Sequence, residues 1–190
     1  MKTTQTLAAL ACCALLAGGC TTTRNTTSPE IEHSERTSID ASVNAALTKL
    51  DSQVPAAREL VKNARGVLVF PGVVTAGLVV GGAYGKGALR ESGRTAGYYS
   101  TTAASVGWIA GAESKAVFVL FMTKESLDKF VASHGWTAGV DASVTLLKIG
   151  ADGNATTQTV QQPIVGFILT NGGLMADLSI EGAKISKIAL

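Results

Sequence analysis

Side chains that could carry catalysis or hold a metal are few in this 190-residue chain. His134 is one of two histidines, and it stands beside Ser133 at the end of a predicted helix, where neighbours in sequence rarely face one another as a Ser-His-acid triad requires. No second His or Cys accompanies it at metal-ligand spacing. Asp141, Asp177 and Glu181 could form a carboxylate pair, but isolated acids between strands are more often loop or capping residues. We therefore predict no enzyme, no metal and no cofactor.

The most distinctive stretch is an uncharged, glycine-rich run at residues 66–85. It is not a P-loop, because Val80 stands where the first glycine belongs and Gly87 where Ser or Thr should follow Gly-Lys. Its length and its GxxxG spacing would fit a transmembrane helix, but Pro71 and the repeated glycines disfavour helix formation. Valine-rich pieces broken by glycine favour two buried strands, in which glycine permits curvature and close backbone approach.

Basic side chains cluster on both sides of this run. Arg58, Lys62 and Arg65 follow at i, i+4 and i+7 on one side of a short amphipathic helix predicted at 55–65. Together with the later members they are the candidate binding residues: Arg58, Lys62, Arg65, Lys86, Arg90 and Arg94. Residues 58–94 hold these six basic residues against two acidic ones, a local excess of four positive charges. The pattern fits either an ordinary solvated face or a surface for anionic lipid headgroups.

The N-terminal sequence has the features of an export signal. Lys2 supplies a positive start, residues 7–16 an apolar segment too short to span a bilayer, and small residues lead to Cys20. The ending at 16–20 resembles the bacterial lipobox, although Ala17 stands where leucine is usual. That resemblance implies cleavage before Cys20 and its acylation, and Thr21 instead of Asp implies the outer membrane. An ordinary signal peptide that leaves a free thiol is the alternative.

The remaining sequence predicts one domain on a tether. Residues 20–37, after the signal at 1–19, are polar and are predicted to be a flexible tether carrying the lipidated cysteine. Residues 38–190 are long enough for one domain with its own core. A net charge of +2 gives no reason to expect nucleic-acid binding.

Periodicity places the elements of that domain. A first helix is expected to begin with Ser38 or Asp40 as its cap, followed by the helix at 55–65 that starts with proline. Strands are expected at 103–112 and 116–122, and then a helix at 124–133, capped by Thr123, with Leu127, Phe130 and Val131 inside. Further strands are expected at 137–149, 164–170 and 174–180, with tight turns at 152–153 and 171–173.

The predicted fold is therefore α+β. Helical crossovers are missing between most of the strands, so the glycine-rich sheet should be mainly antiparallel, either a partly closed barrel or a sandwich, with N-terminal helices and one further helix.

The glycine motifs at 66–71 and 77–87, with Gly-Leu-Met-Ala-Asp-Leu-Ser-Ile-Glu-Gly ending at Gly182, resemble the SYLF family of lipid-binding domains, also known as a yeast actin-binding family. The resemblance spans about residues 40–188. It implies binding of phosphoinositides through a basic amphipathic helix, and hence a lipid-anchored envelope protein that contacts anionic headgroups. A non-catalytic lipoprotein that docks on another envelope protein or a host protein is the alternative, with actin suggested by family analogy only.

Overall fold

A computed structural model describes residues 29–77, 80–106, 112–146, 161–170, 173–175, 180 and 182–190. Three helices lie in these ranges: α1 (Pro29–Gln53), α2 (Pro55–Asn63) and α3 (Lys124–Ala132). None of the described helices is both long enough and apolar enough to cross a membrane. The signal, Cys20 and the first part of the tether lie outside the described residues.

Helix α1 begins earlier than the sequence predicted. Residues 29–37 were assigned to the flexible tether, but they are helical, so that part of the prediction is wrong. Pro29 is the first described residue of this helix, and two acidic residues in the first described turn, Glu30 and Glu32, complement the helix dipole. The polar composition of residues 29–37 misled the prediction: this segment contacts the sheet through the ion pair of Glu35 with Lys86, whereas the buried residues of α1 come later and are apolar. They are Ile39, Val43, Ala46 and Leu50.

Nine strands form one sheet in the described part of the chain. They are β1 (Gly66–Gly77), β2 (Val80–Glu91), β3 (Arg94–Val106), β4 (Ala112–Phe121), β5 (Trp136–Thr137), β6 (Thr145–Leu146), β7 (Ile164–Thr170), β8 (Gly173–Met175) and β9 (Lys184–Ile188). Their order is β5-β9-β3-β2-β1-β4-β7-β6, and β8 pairs with β7. All pairs are antiparallel except β6 with β7. The sheet curls into a half-barrel, which confirms the predicted α+β class.

The glycine-rich run forms β1 and β2, as predicted. The register between these strands shifts between Val69 and Val74, where β1 bulges. At this bulge a Cβ atom on Gly87 would lie 2.0 Å from the carbonyl oxygen of Val69, so only glycine fits. The glycine therefore permits close backbone approach and curvature of the sheet.

Two apolar cores lie on opposite faces of the sheet. Helices α1 and α2 cover one face, where they pack on side chains such as Val67 and Phe118. The other face holds an aromatic group around Phe130 of α3, whose ring centroid lies 4.7 Å from Phe121 and 5.7 Å from Trp136. The N-cap of α3 is Thr123, as predicted, and its hydroxyl accepts a hydrogen bond from a backbone N–H.

Several predictions for the second half of the chain were wrong. The strand predicted at 137–149 is interrupted, because Gly139 has a positive φ and the Asp141 carboxylate accepts the Thr137 N–H at 2.6 Å, closing a turn. Val131 is exposed and does not lie in the core. Strand β9 was not predicted. The predicted turn at 152–153 lies outside the described residues, as do 107–111 of the strand predicted at 103–112.

Candidate functional site

Helix α2 presents its basic side chains to solvent. Pro55 starts the helix, and Ala57 and Leu60 are buried against α1 and the sheet. The opposite side carries Arg58 and Lys62, which are both exposed. The predicted amphipathic pattern is confirmed, and the apolar side of α2 is already used in the core.

Four of the six predicted binding residues form ion pairs with nearby acids. Lys62 pairs with Glu59 at 3.1 Å, and both side chains are more than half exposed. The other pairs all involve acids of α1: Arg58 with Asp51, Lys86 with Glu35, and Arg90 with Asp40. The hydrogen bond that Lys86 donates to Glu35 raises the pKa of Lys86, and the hydrogen bonds that Arg58 donates to Asp51 raise the pKa of Arg58. These cations are partly neutralised before any ligand arrives.

Arg90 is the most enclosed of the six, with 13% of its side chain exposed. Its guanidinium donates hydrogen bonds to the Thr95 hydroxyl, to the Asp40 carbonyl and to Oδ1 of Asn44. The Asp40 carboxylate in turn accepts hydrogen bonds from Thr95 at 2.8 Å and from Tyr98 at 3.0 Å. Burial, followed by the Asp40 hydrogen bond, raises the pKa of Tyr98. This cluster joins α1 to β2 and β3, so Arg90 has a structural role in addition to any binding role.

Arg65 and Arg94 are both exposed. Within the described part of the chain, neither forms an ion pair or a side-chain hydrogen bond. Arg65 follows α2, where its backbone N–H donates to the carbonyl oxygen of Phe121. Arg94 follows the Ser92–Gly93 turn that joins β2 to β3. Of the six predicted residues, they are the two that have no acidic partner within the described part of the chain.

Three of the six predicted residues, Arg58, Lys62 and Arg90, line two adjoining clefts. The first cleft, of about 400 Å³, is lined by Arg58 and Lys62. The second cleft, of about 320 Å³, lies between α1, α2 and the β2–β3 turn and is lined by both Lys62 and Arg90. Lys86 lies four residues from Arg90 along β2, roughly 13 Å away, and it contacts the N-terminal half of α1. It is therefore separate from the group at the clefts.

The local charge differs from the value that the sequence indicated. Residues 58–94 hold six cations and two acids, but α1 adds Glu35, Asp40 and Asp51 as ion-pair partners of three of the cations. The net charge of these eleven residues is +1. Sequence proximity could not reveal this, because these acids lie up to about fifty residues from the cations that they contact.

The other candidate side chains do not assemble into a catalytic or metal site in the described part of the chain. His134 is exposed, and the hydroxyl of Ser133 donates to the Phe130 carbonyl oxygen instead of to the histidine. The described residues contain no group of three or more His, Cys, Asp or Glu side chains that could hold a metal ion. Asp141 belongs to the turn described above, while Asp177 and Glu181 lie outside the described residues.

No curated protein matches this chain. Residues 102–188, from within β3 to the end of β9, match the family model described as Ysc84, a Las17-binding protein and actin regulator. This SYLF-domain family consists of lipid- and actin-binding domains and not of enzymes. The six basic residues precede the matched segment. The match supports the assignment of this chain to the SYLF domain family.

Proposed function

We propose that this protein is a non-catalytic lipoprotein of the bacterial envelope that binds anionic lipid headgroups through the face formed by α2 and the β2–β3 turn. The observation that carries the proposal is the pair of exposed arginines, Arg65 and Arg94, which have no acidic partner within the described residues. Free cations at a surface gain about 1 kcal/mol each near anionic lipid. The ion-paired cations contribute less because their acids must first be displaced.

The mode of binding follows from the packing of α2. Interfacial helices usually insert an apolar face between lipids, but Ala57 and Leu60 of α2 are buried in the protein core. Helix α2 therefore contacts headgroups with its polar side and does not insert. Attraction of this kind is screened by salt, so binding should weaken strongly as ionic strength rises.

The anchor is proposed to be an acylated Cys20 in the outer membrane. Eight residues separate Cys20 from the start of α1 at Pro29. At about 3.3 Å per residue they span at most roughly 26 Å. This short reach would keep the folded domain beside the membrane and raise the effective concentration of headgroups near Arg65 and Arg94.

Vesicle co-sedimentation tests the proposal. Residues 21–190 retain every described element and exclude the acylation site, so acyl chains cannot supply the binding. We expect binding to phosphatidylglycerol vesicles at low salt, loss at high salt, and no binding to phosphatidylcholine vesicles. The Arg65→Glu/Arg94→Glu variant should bind at least about thirtyfold more weakly, since two favourable charges are lost.

The matched control places the same charge change elsewhere. Lys124 and Lys129 are exposed on α3, which packs on the opposite face of the sheet from α2. Lys124→Glu/Lys129→Glu should retain vesicle binding. Equal loss in both variants would show that only net charge matters, and the absence of wild-type binding to any anionic vesicle would reject headgroup binding.

A second candidate is docking on a protein of the envelope or of a host. The four ion pairs favour it, because cations that are paired with acids attract a membrane weakly and offer both signs of charge to a protein. Under this candidate, charge reversal at Arg58, Lys62 and Arg65 would leave vesicle binding unchanged. Actin is included only because the matched family is described as an actin regulator.

A further inference from the structure

The two clefts beside α2 adjoin each other and differ in the polarity of the side chains that line them. Both are lined by Leu47, Val61 and Lys62, so they form one groove between α1 and α2. We infer that this groove binds a single molecule of a one-chain anionic lipid, with its alkyl chain in the first cleft and its phosphate or carboxylate head in the second. The inference rests on the proposed function because both take lipid as the ligand, but it concerns one lipid monomer inside the fold.

The first cleft suits an alkyl chain. Its apolar wall is formed by Leu47 and Val61, which are half-buried, and by Leu50, which is almost fully buried. The Asp51–Arg58 ion pair forms its polar edge. Its volume of about 400 Å³ lies within the usual range of small-molecule pockets, roughly 300–1,000 Å³, which are mostly apolar with few polar groups.

The second cleft suits an anionic head. Lys62 and Arg90 are among its lining residues, and no carboxylate is. The two terminal nitrogens of Arg90 are occupied by Asp40, Asn44 and Thr95, and its Nε is buried without a partner among the described residues. Arg90 therefore sets a positive potential more than it donates to a ligand. Lys62 is the available donor, because its pair with Glu59 is exposed and such pairs are weak.

Two neutral donors complete this head site. Asn44 accepts the Arg90 hydrogen bond with Oδ1, which leaves its amide NH₂ group as a donor. Ser92 adds a hydroxyl on the β2–β3 turn, where it adopts a positive φ of 49°. A phosphate or a carboxylate could therefore receive one charged and two neutral hydrogen bonds here.

The position of the cleft indicates a membrane lipid as the source of the ligand. Ala64 and Gly93 line the second cleft, and each is followed directly by one of the exposed arginines, Arg65 and Arg94. A membrane held by these arginines would lie next to the head site. A lipid could then enter the groove from the bilayer, which a soluble phosphate compound would not require.

Calorimetric titration of residues 21–190 with lipid monomers tests the inference. The probes are myristoyl lysophosphatidate, myristoyl lysophosphatidylcholine with the same chain and a zwitterionic head, and glycerol 3-phosphate with the same head and no chain. We expect lysophosphatidate to bind at least about tenfold more tightly than either of the others. Equal binding of the choline lipid would overturn the head site, and equal binding of glycerol 3-phosphate would reduce the groove to a phosphate site.

Variants separate the groove from the membrane-binding face. Val61→Trp fills the apolar cleft and should weaken lysophosphatidate binding at least about tenfold. Lys62→Glu, at an exposed position that should not disturb folding, should abolish the preference over the choline lipid. Arg65→Glu/Arg94→Glu should leave monomer binding within about threefold while it removes vesicle binding. Retained tight binding in both Val61→Trp and Lys62→Glu would overturn the inference, even if vesicle binding proceeds as proposed.

Discussion

Replacing Asp40 with alanine removes the carboxylate that joins α1 to β2 and β3. Three groups lose their partner at once: the Arg90 guanidinium at 3.2 Å, the Thr95 hydroxyl at 2.8 Å and the Tyr98 hydroxyl at 3.0 Å. Arg90 is the critical group, because its side chain is only 13% exposed and water cannot replace the lost acceptor fully. The change should therefore destabilise the folded state.

The free-energy cost of Asp40→Ala lies between the cost of breaking a buried ion pair and that of breaking an exposed one. Breaking a fully buried pair costs about 3–5 kcal/mol, whereas exposed pairs are worth about 0–1 kcal/mol. The Asp40 side chain is 33% exposed, which places it between them. We expect the free energy of unfolding to fall by about 2–3 kcal/mol. For a domain of this size, Tm should then drop by roughly 5–10 °C.

Urea denaturation followed by circular dichroism measures this change. Asp40→Asn keeps an acceptor oxygen and should recover about half of the loss, and Asp51→Ala, which breaks the exposed Arg58 pair, should change the midpoint little. Arg90→Met should make the Asp40→Ala change much less costly, because no buried charge is then left unpaired. If Asp40→Ala costs no more than Asp51→Ala, the cluster does not hold α1 to the sheet.

Three further predictions concern folding and pH. Gly87→Ala should lower the free energy of unfolding, measured by urea denaturation, by at least about 3 kcal/mol or prevent folding. The reason is that the added Cβ would lie 2.0 Å from the Val69 carbonyl oxygen. Gly82→Ala is the control, because the nearest atom to its Cβ would lie 3.9 Å away. Phe130→Ala should lower the free energy of unfolding by about 3–5 kcal/mol, because the Phe130 ring is buried among three aromatic rings. A loss below about 1 kcal/mol in the same assay would contradict this packing. The raised pKa of Tyr98 means that its contribution to stability is complete below about pH 10 and is lost as pH rises through the higher folded-state pKa. The urea midpoint of Tyr98→Phe should accordingly fall less than that of the wild type between pH 9 and pH 11, and parallel curves would refute the assignment.

Local patterns predicted the elements whose formation depends on nearby residues. Proline at the start of α2, the Thr123 cap of α3 and the glycine-broken strands β1 and β2 each have a local steric or hydrogen-bonding cause. The turn at 139–141 was missed, because hydrophobic alternation across it imitates a strand while a single carboxylate closes the backbone. Strand β9 is stabilised by its pairing with β3, a strand that lies more than eighty residues earlier.

The candidate site was predicted less completely. Sequence placed Arg58 and Lys62 together, since helix periodicity sets their spacing, and the fold adds Arg90 to the same groove through the β2–β3 hairpin. The sequence could not identify Glu35 as the partner of Lys86 or Asp40 as the partner of Arg90. Nothing in the polar segment that contains Glu35 indicates a helix packed on the sheet, and no periodic pattern links it to Lys86.

The sequence by itself determined the positions of glycine, proline and charge, and these set the local conformation, the α+β class and the composition of a basic segment. Tertiary structure alone decided how much of that charge remains available. When α1 packs across the sheet, its carboxylates partly neutralise three basic side chains, and Arg65 and Arg94 stay exposed beside a groove. The physical reason is that electrostatic interactions depend on distance in space and on burial, and both arise only when distant parts of the chain pack together.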